Sequence, residues 1–187
     1  IQVTPYQHPS LLEGLAARCF TPSELETVLV HSLQQLPDPV LVPSLVFRRI
    51  EPWNSDDVEA FIQSQMHGFH GSAQPPIGII PITKRVAQHA RCRLWLLEVD
   101  GELAGSGGLE FFEDTAVMIA GCVYPEFRRR GIHSAFMNFR LAEAQSADVK
   151  IVLVASPAGG PTERNALRVG FSVAYHLMEL SQRIPPR

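Results

Sequence analysis

Val123-Tyr124-Pro125-Glu126-Phe127-Arg128-Arg129-Arg130-Gly131-Ile132-His133-Ser134-Ala135 is the stretch on which the reading of this chain turns. It follows a strand-like run, residues 115–123, and opens residues 132–146. There Ile132, Ala135, Phe136, Phe139 and Ala142 recur at the spacing of an amphipathic helix. A helix start leaves its first N–H groups without intrahelical partners, and the macrodipole adds about half a positive charge there. Gly131 lets the backbone come close to a ligand, and Arg128, Arg129 and Arg130 add positive potential. The expectation is a pyrophosphate cradle; the alternative is a solvated basic turn.

Upstream of this stretch the pattern is that of a hairpin meander. Residues 93–99 read as a strand, Asp100-Gly101 as a tight turn and residues 102–112 as the return strand. Glu113-Asp114 turns the chain into residues 115–123. Further back, residues 45–50 read as a strand. Asn54-Ser55 caps a helix of about a dozen residues, with Asp56, Asp57 and Glu59 in its first turns. Residues 68–81 are rich in Gly and Pro and read as a loop, and residues 83–91 as helix.

Downstream, residues 150–155 form an almost unbroken apolar run, expected of a strand covered on both faces. A helix starts at Pro161 or Thr162 and ends before Gly170, placed for a left-handed exit. Residues 171–180 are a final strand. The fold class is therefore α/β in the α+β sense: a mostly antiparallel sheet, one parallel strand–helix–strand unit, and flanking helices.

Residues 1–43 have a different texture. Residues 1–6 are extended, His8-Pro9-Ser10 signals a helix entry, and residues 11–18 are helical. Residues 24–33 alternate as a strand, with a helix as the alternative, and Pro37, Pro39 and Pro43 mark a linker. Two domains are expected, residues 1–43 as an N-terminal extension and residues 44–187 as the main domain. Ala16-Ala17-Arg18-Cys19-Phe20 echoes Ala166-Leu167-Arg168-Val169-Gly170-Phe171, each a helix end followed by a strand. The echo and the initial Ile1 fit residues 1–33 being the last elements of an upstream copy of the same fold.

Composition excludes several classes. The 187 residues are 45% hydrophobic and 19% charged, enough for a sizeable core. No apolar run reaches the roughly 20 residues that span a bilayer. A net charge of -3 speaks against nucleic acid as the default partner. The expected partner is a small molecule or an amino-group acceptor, without nucleic acid or membrane, and exposed edge strands admit a homodimer. Cys19, Cys92 and Cys122 are widely spaced and odd in number, which suits buried thiols in a reducing cytoplasm.

Two patterns are set aside. Gly105-Ser106-Gly107-Gly108 lies inside a hairpin strand with no helix after it, so it is not a dinucleotide loop. His67 and His70 lack a nearby Glu or Cys, so no metal site is expected there.

The quoted stretch resembles motif A of the GNAT acetyltransferase superfamily: Arg or Gln, two residues, Gly, one residue, then Gly or Ala. Arg128, Gly131 and His133 fall on its first, fourth and sixth positions. Asn165-Ala166-Leu167-Arg168-Val169-Gly170-Phe171 is similar to the family's motif B. The likeness covers residues 45–180, and extends to a bacterial subgroup that pairs a degenerate first half with an intact second half.

The resemblance implies acetyl-CoA as co-substrate, no metal, and direct attack of a primary amine on the thioester. It implies cofactor contacts at Gly121, Cys122, Val123, Arg128, Arg129, Arg130, Gly131, Ile132, His133, Ser134 and Asn165, with a bulge at Gly121. Tyr175 is the expected thiolate acid and Glu110 the expected base, and residues 68–81 are expected to line the acceptor site. The sequence departs from the family at His133, where Gly or Ala is usual, and at Ala166, where many members carry Tyr. Residues 115–123 also lack the usual strand carboxylate. A catalytically silent CoA-binding domain is the alternative.

Overall fold

Asp100 and Gly101 both take left-handed backbone, with φ of 53° and 83°. That is the geometry of a two-residue hairpin turn whose twist matches the flanking strands. The computed structural model describes residues 1–71 and 76–182, and these fall in two compact units, one within residues 32–152 and one of residues 1–31 with 153–182.

In the larger unit the Asp100-Gly101 turn joins β4 (Cys92–Val99) to β5 (Glu102–Phe112). Glu113, at φ 49°, starts the next reversal into β6 (Thr115–Val123). β3 (Leu45–Arg49) pairs with the free side of β4, giving the order β6-β5-β4-β3 with every neighbour antiparallel.

Helices cover both faces of these strands. α2 (Ser55–His70) begins where the Asn54 side chain accepts from the Asp56 N–H at 3.0 Å. Its Val58, Phe61 and Ile62 bury against Ile50, Ala87 and Leu94. α4 (Ile132–Ser146) lies on the opposite face, where Phe139 stacks on Phe47 at 4.3 Å and meets the edge of Trp95 at 5.3 Å. Leu94 and Trp95 are neighbours in sequence, so they serve opposite faces. Each fully buried Phe contributes about 1.5–3 kcal/mol.

The smaller unit contains β1 (Gln2–Val3), α1 (Pro9–Ala16), β2 (Phe20–His31), α5 (Pro161–Arg168) and β8 (Ser172–Gln182). β8 pairs antiparallel with β1 on one side and β2 on the other. The strand alternative for residues 24–33 is the one observed. The sequence echo has a geometric counterpart: α1 exits through Cys19 at φ 59° and α5 through Gly170 at φ 92°, each into one strand of the β2–β8 pair. Thr27 is fully buried between the two helix–strand arms; its hydroxyl bonds Glu163 at 2.9 Å and His176 Nδ1 at 3.1 Å. The chain passes from the larger unit to the smaller after Val152, inside β7 (Ile151–Pro157).

Four local expectations need correction. α2 continues through Gly68 to His70, because Gly68 is where the helix crosses Cys122 too closely for any Cβ. α3 (Ile79–Ala87) starts and ends earlier than the periodicity suggests. It takes Pro81 into its first turn, where a missing N–H leaves no intrahelical bond unmade. The rest of the expected loop includes Pro75, which lies outside the described residues. Burial along β7 alternates, with Val152, Val154 and Ser156 inward and Ile151, Ala155 and Pro157 exposed. Of the cysteines only Cys122 is buried; Cys92 is half-buried and Cys19, at its left-handed helix exit, is exposed. No helix among the described residues is long and apolar enough to cross a membrane.

Candidate active site

The pairing of β5 with β6 slips by one residue between Ser106 and Gly108, so Gly107 faces both Ala120 and Gly121. Ala120 takes φ 53° at this bulge, which confirms the expected irregularity. Gly107 is held to glycine: a Cβ there would stand 2.8 Å from Phe136 Cε1 and 2.9 Å from Gly121 Cα. Gly105 and Gly108 are likewise pressed against backbone of the adjoining strands, so the Gly-rich run serves strand packing.

A bulge takes a carbonyl out of the ladder, and a buried carbonyl needs a donor. Gln65 of α2 supplies it, donating Nε2–H to Ala120 O at 2.8 Å. The same amide reaches Ser106 Oγ at 2.7 Å, and Ser64 Oγ lies 2.7 Å from Ser106 Oγ. Cys122 Sγ closes the cluster 3.5 Å from both Ser106 Oγ and Gln65 Nε2. Burial pushes the Cys122 thiol up, so it stays protonated here.

Beyond the bulge, Tyr124 is buried against His67, whose Nε2 lies 3.2 Å from the Glu126 carboxylate. A 3₁₀ turn, Pro125–Phe127, leads into the arginines. Arg128 folds back: Nε donates to Val123 O at 3.1 Å and a terminal nitrogen to Gly68 O at 3.3 Å. Arg129 takes left-handed backbone at φ 63°, and the Arg130 guanidinium lies 5.1 Å over the Phe127 ring. Arg129 and Arg130 are exposed. Gly131 at φ 80° caps α4 without a side-chain bond, and the first intrahelical bond runs from Ala135 N–H to Gly131 O. The amides ahead of Ala135 therefore form the positive end of the helix. A Cβ at Gly131 would lie 3.5 Å from Val40 and 3.6 Å from Val42, so the proline-rich segment passes beside this cap.

One buried cation, Arg140, and one neutral imidazole, His133, lie behind it. Arg140 of α4 is fully buried under the bulge, donating to Phe136 O at 3.4 Å and to Gly108 O at 3.3 Å, with its guanidinium 4.2 Å over the Phe136 ring. Burial brings its pKa down to about 9. His133 on the first turn is brought down to about 4 by burial and then by Arg140, so it is neutral at the helix's positive end.

The larger unit thus brings together Gly121, Cys122, Val123, Arg128, Arg129, Arg130, Gly131, Ile132, His133 and Ser134 along β6 and the opening of α4. Glu110 is elsewhere: it sits opposite Val117, four residues along β5 from Ser106, about 13 Å at strand rise. Its carboxylate is 3.7 Å from Arg91. Tyr175 and Asn165 belong to the smaller unit. Tyr175 is half-buried on β8 with its ring edge to Tyr6 at 5.7 Å. Asn165 Oδ1 on α5 accepts from Arg168 at 2.9 Å, and its neighbour Ala166 is fully buried.

Sequence reading missed Ser64, Gln65, Ser106 and Arg140. The signal was available: Gln65 lies three residues after Ile62, and Arg140 four after Phe136, so each is a polar group on a stripe that the helical period assigns to the core.

A bulged strand, β6, delivering its chain through an arginine–glycine turn into the N-terminus of α4 defines an α/β protein with a positive helix end at that turn. The chain belongs to the GNAT family of acetyltransferases, whose family model matches residues 46–171. Its fold is similar to a GCN5-related N-acetyltransferase from Sphaerobacter thermophilus, with TM-score 0.73 and 18% identity over 95% of this chain and 56% of that one. A second GCN5-related N-acetyltransferase, from Kribbella flavida, aligns at TM-score 0.71 and 12% identity over 100% of this chain and 68% of that one. A GNAT-family acetyltransferase from Colwellia psychrerythraea gives TM-score 0.70 and 12% identity, covering 97% and 64%. The chain thus spans little more than half the length of the Sphaerobacter protein. No curated protein matches the sequence.

Proposed function

We propose that this chain is an acetyl-CoA-dependent N-acetyltransferase acting on a primary amine. The observation that carries the reading is the bulge at Ala120-Gly121, followed by the Arg129–Gly131 turn that opens α4 with left-handed backbone. The residues present fit the cofactor. Gly131 presents no Cβ, and Arg129 and Arg130 are exposed beside it. In this reading the amides at the start of α4, with Arg129 and Arg130, hold the pyrophosphate, and β6 residues Ala120–Val123 pair with the pantetheine. Bound there, acetyl-CoA supplies an activated acyl carbon that a neutral amine can attack. Arg128 serves by fixing the turn through Val123 O and Gly68 O.

The test is calorimetric titration of the protein with acetyl-CoA, followed by thiol release with a panel of primary amines. Saturable binding and amine-dependent thiol release support the assignment; no heat and no competition by CoA would sink it. A second reading, CoA binding without turnover, draws on Ala166, buried where many family members carry Tyr, and on the absence of a carboxylate from β6. Binding without thiol release for any amine would favour it.

A further inference from the structure

His89, Cys92 and Glu110 stand apart from the α4 opening, yet each points a ligand atom to one spot: the imidazole nitrogen, Sγ and a carboxylate oxygen all lie within 4.8 Å of one another. Backbone geometry produces the convergence. α3 ends at Ala87, and a turn closed by the Cys92 N–H donating to His89 O at 2.9 Å sets His89 back over the first residue of β4. Cys92 faces Glu110 directly across the β4–β5 ladder. Phe111 N–H donates to Arg91 O at 3.0 Å, one residue outside that pair. The Cys92–Glu110 pair is therefore of the non-hydrogen-bonded kind, in which opposed side chains come closest.

We propose that His89, Cys92 and Glu110 form a Zn²⁺ site with one coordination position open to solvent. One nitrogen, one thiolate sulfur and one carboxylate oxygen suit zinc, whereas Ca²⁺ and Mg²⁺ require oxygen ligands throughout. Half-buried Cys92 packs at the rim of the Ile50–Phe61–Leu94 core, which fixes one ligand on a rigid strand. His89 is exposed and lets the metal enter from solvent. Two contacts compete. The Arg91 N–H lies 3.4 Å from His89 Nδ1, and the Arg91 guanidinium lies 3.7 Å from Glu110. Both are long, and the guanidinium already rests 4.5 Å over the Phe112 ring, a place it can keep when a cation displaces it from the carboxylate. The metal would tie the end of α3 to the β4–β5 hairpin. This site is separate from the α4 opening and does not rest on the acetyltransferase reading.

The experiment is titration of chelator-treated protein with ZnCl₂ against a chromophoric zinc indicator, with Co²⁺ as a spectroscopic substitute. One equivalent should bind, and Co²⁺ should give a thiolate-to-cobalt charge-transfer band in the near ultraviolet. Cys92→Ser should abolish that band and weaken zinc at least about 100-fold, and His89→Gln, an exposed change that leaves the fold alone, should weaken it about 10- to 100-fold. Arg91→Gln should tighten zinc by removing the competing cation. Zinc should raise the Tm of the wild type and not of Cys92→Ser. Zinc affinity unchanged in His89→Gln and Cys92→Ser, or Co²⁺ bound without the charge-transfer band, would overturn the proposal.

Discussion

Gln65, deep in α2, donates its side-chain amide to the main-chain carbonyl of Ala120 at 2.8 Å, across 55 residues of sequence. The bulge in β6 removes that carbonyl from the ladder, and one helical side chain supplies the missing donor while also holding Ser106. The irregular strand and the helix above it are thus a single device.

Replacing Gln65 should show this coupling. Gln65→Leu keeps the volume but leaves the Ala120 carbonyl without its side-chain donor, while Ser106 keeps the Ser64 hydroxyl, so unfolding free energy should fall by about 1–3 kcal/mol. Gln65→Glu should cost at least as much, because a carboxylate faces a carbonyl. Urea denaturation of both variants checks the ranking. A loss under about 0.5 kcal/mol for both would show that water replaces the amide.

Glycine is required unequally at the two sides of the bulge. A methyl at Gly107 would press on Phe136 and on the Gly121 backbone, whereas one at Gly121 would meet the Arg140 guanidinium at 3.4 Å. Gly107→Ala should therefore lower stability by about 1–3 kcal/mol, and Gly121→Ala by less, since a side chain yields more readily than a backbone. Thermal unfolding of the pair, with the Gly121 variant the less stable, would contradict this packing account.

What the sequence made legible follows the range of the forces involved. The Asp100-Gly101 hairpin, the Asn54 cap and the span of α4 are set by neighbours within a few residues, and each was found where expected. The reach of α2 beyond Gly68 was not, because that glycine answers to Cys122 on another element. Gln65 and Arg140 were hidden for the same reason: their partners are carbonyls at Ala120 and Gly108. The Arg–Gly turn was readable as a motif, yet nothing local tells that Arg128 spends its guanidinium on the protein's own backbone. Nor does local pattern place residues 20–31 beside the last strand, a pairing across some 150 residues.

His133 predicts a pH dependence. Its pKa falls from 6.5 in the ordinary state to about 4 in the folded chain. Between those values the unfolded chain binds the extra proton, so stability is fully present above pH 6.5 and is lost as pH falls toward 4. The span is at most about 3 kcal/mol. Urea unfolding at pH 7 and pH 5 should show the decline, and His133→Gln should flatten it. A variant that retains the full slope would assign it to the carboxylates.

The three arginines should separate by role. Arg128 holds Val123 O and Gly68 O, while Arg129 and Arg130 are exposed beside the helix opening. Arg128→Ala should lower the unfolding free energy by about 1–2 kcal/mol, because two partly buried carbonyls lose their donor. Arg129→Ala and Arg130→Ala should leave stability within about 0.5 kcal/mol, the usual range for surface changes. If the α4 opening grips a pyrophosphate, each of those two should instead weaken CoA binding about fivefold, the equivalent of roughly 1 kcal/mol, with the loss growing smaller as salt is raised. Denaturation and calorimetry on the same three variants read both effects. Equal stability losses at all three positions would mean that the turn is held by the whole cluster; unchanged CoA affinity in the Arg129 and Arg130 variants would remove them from the anion site.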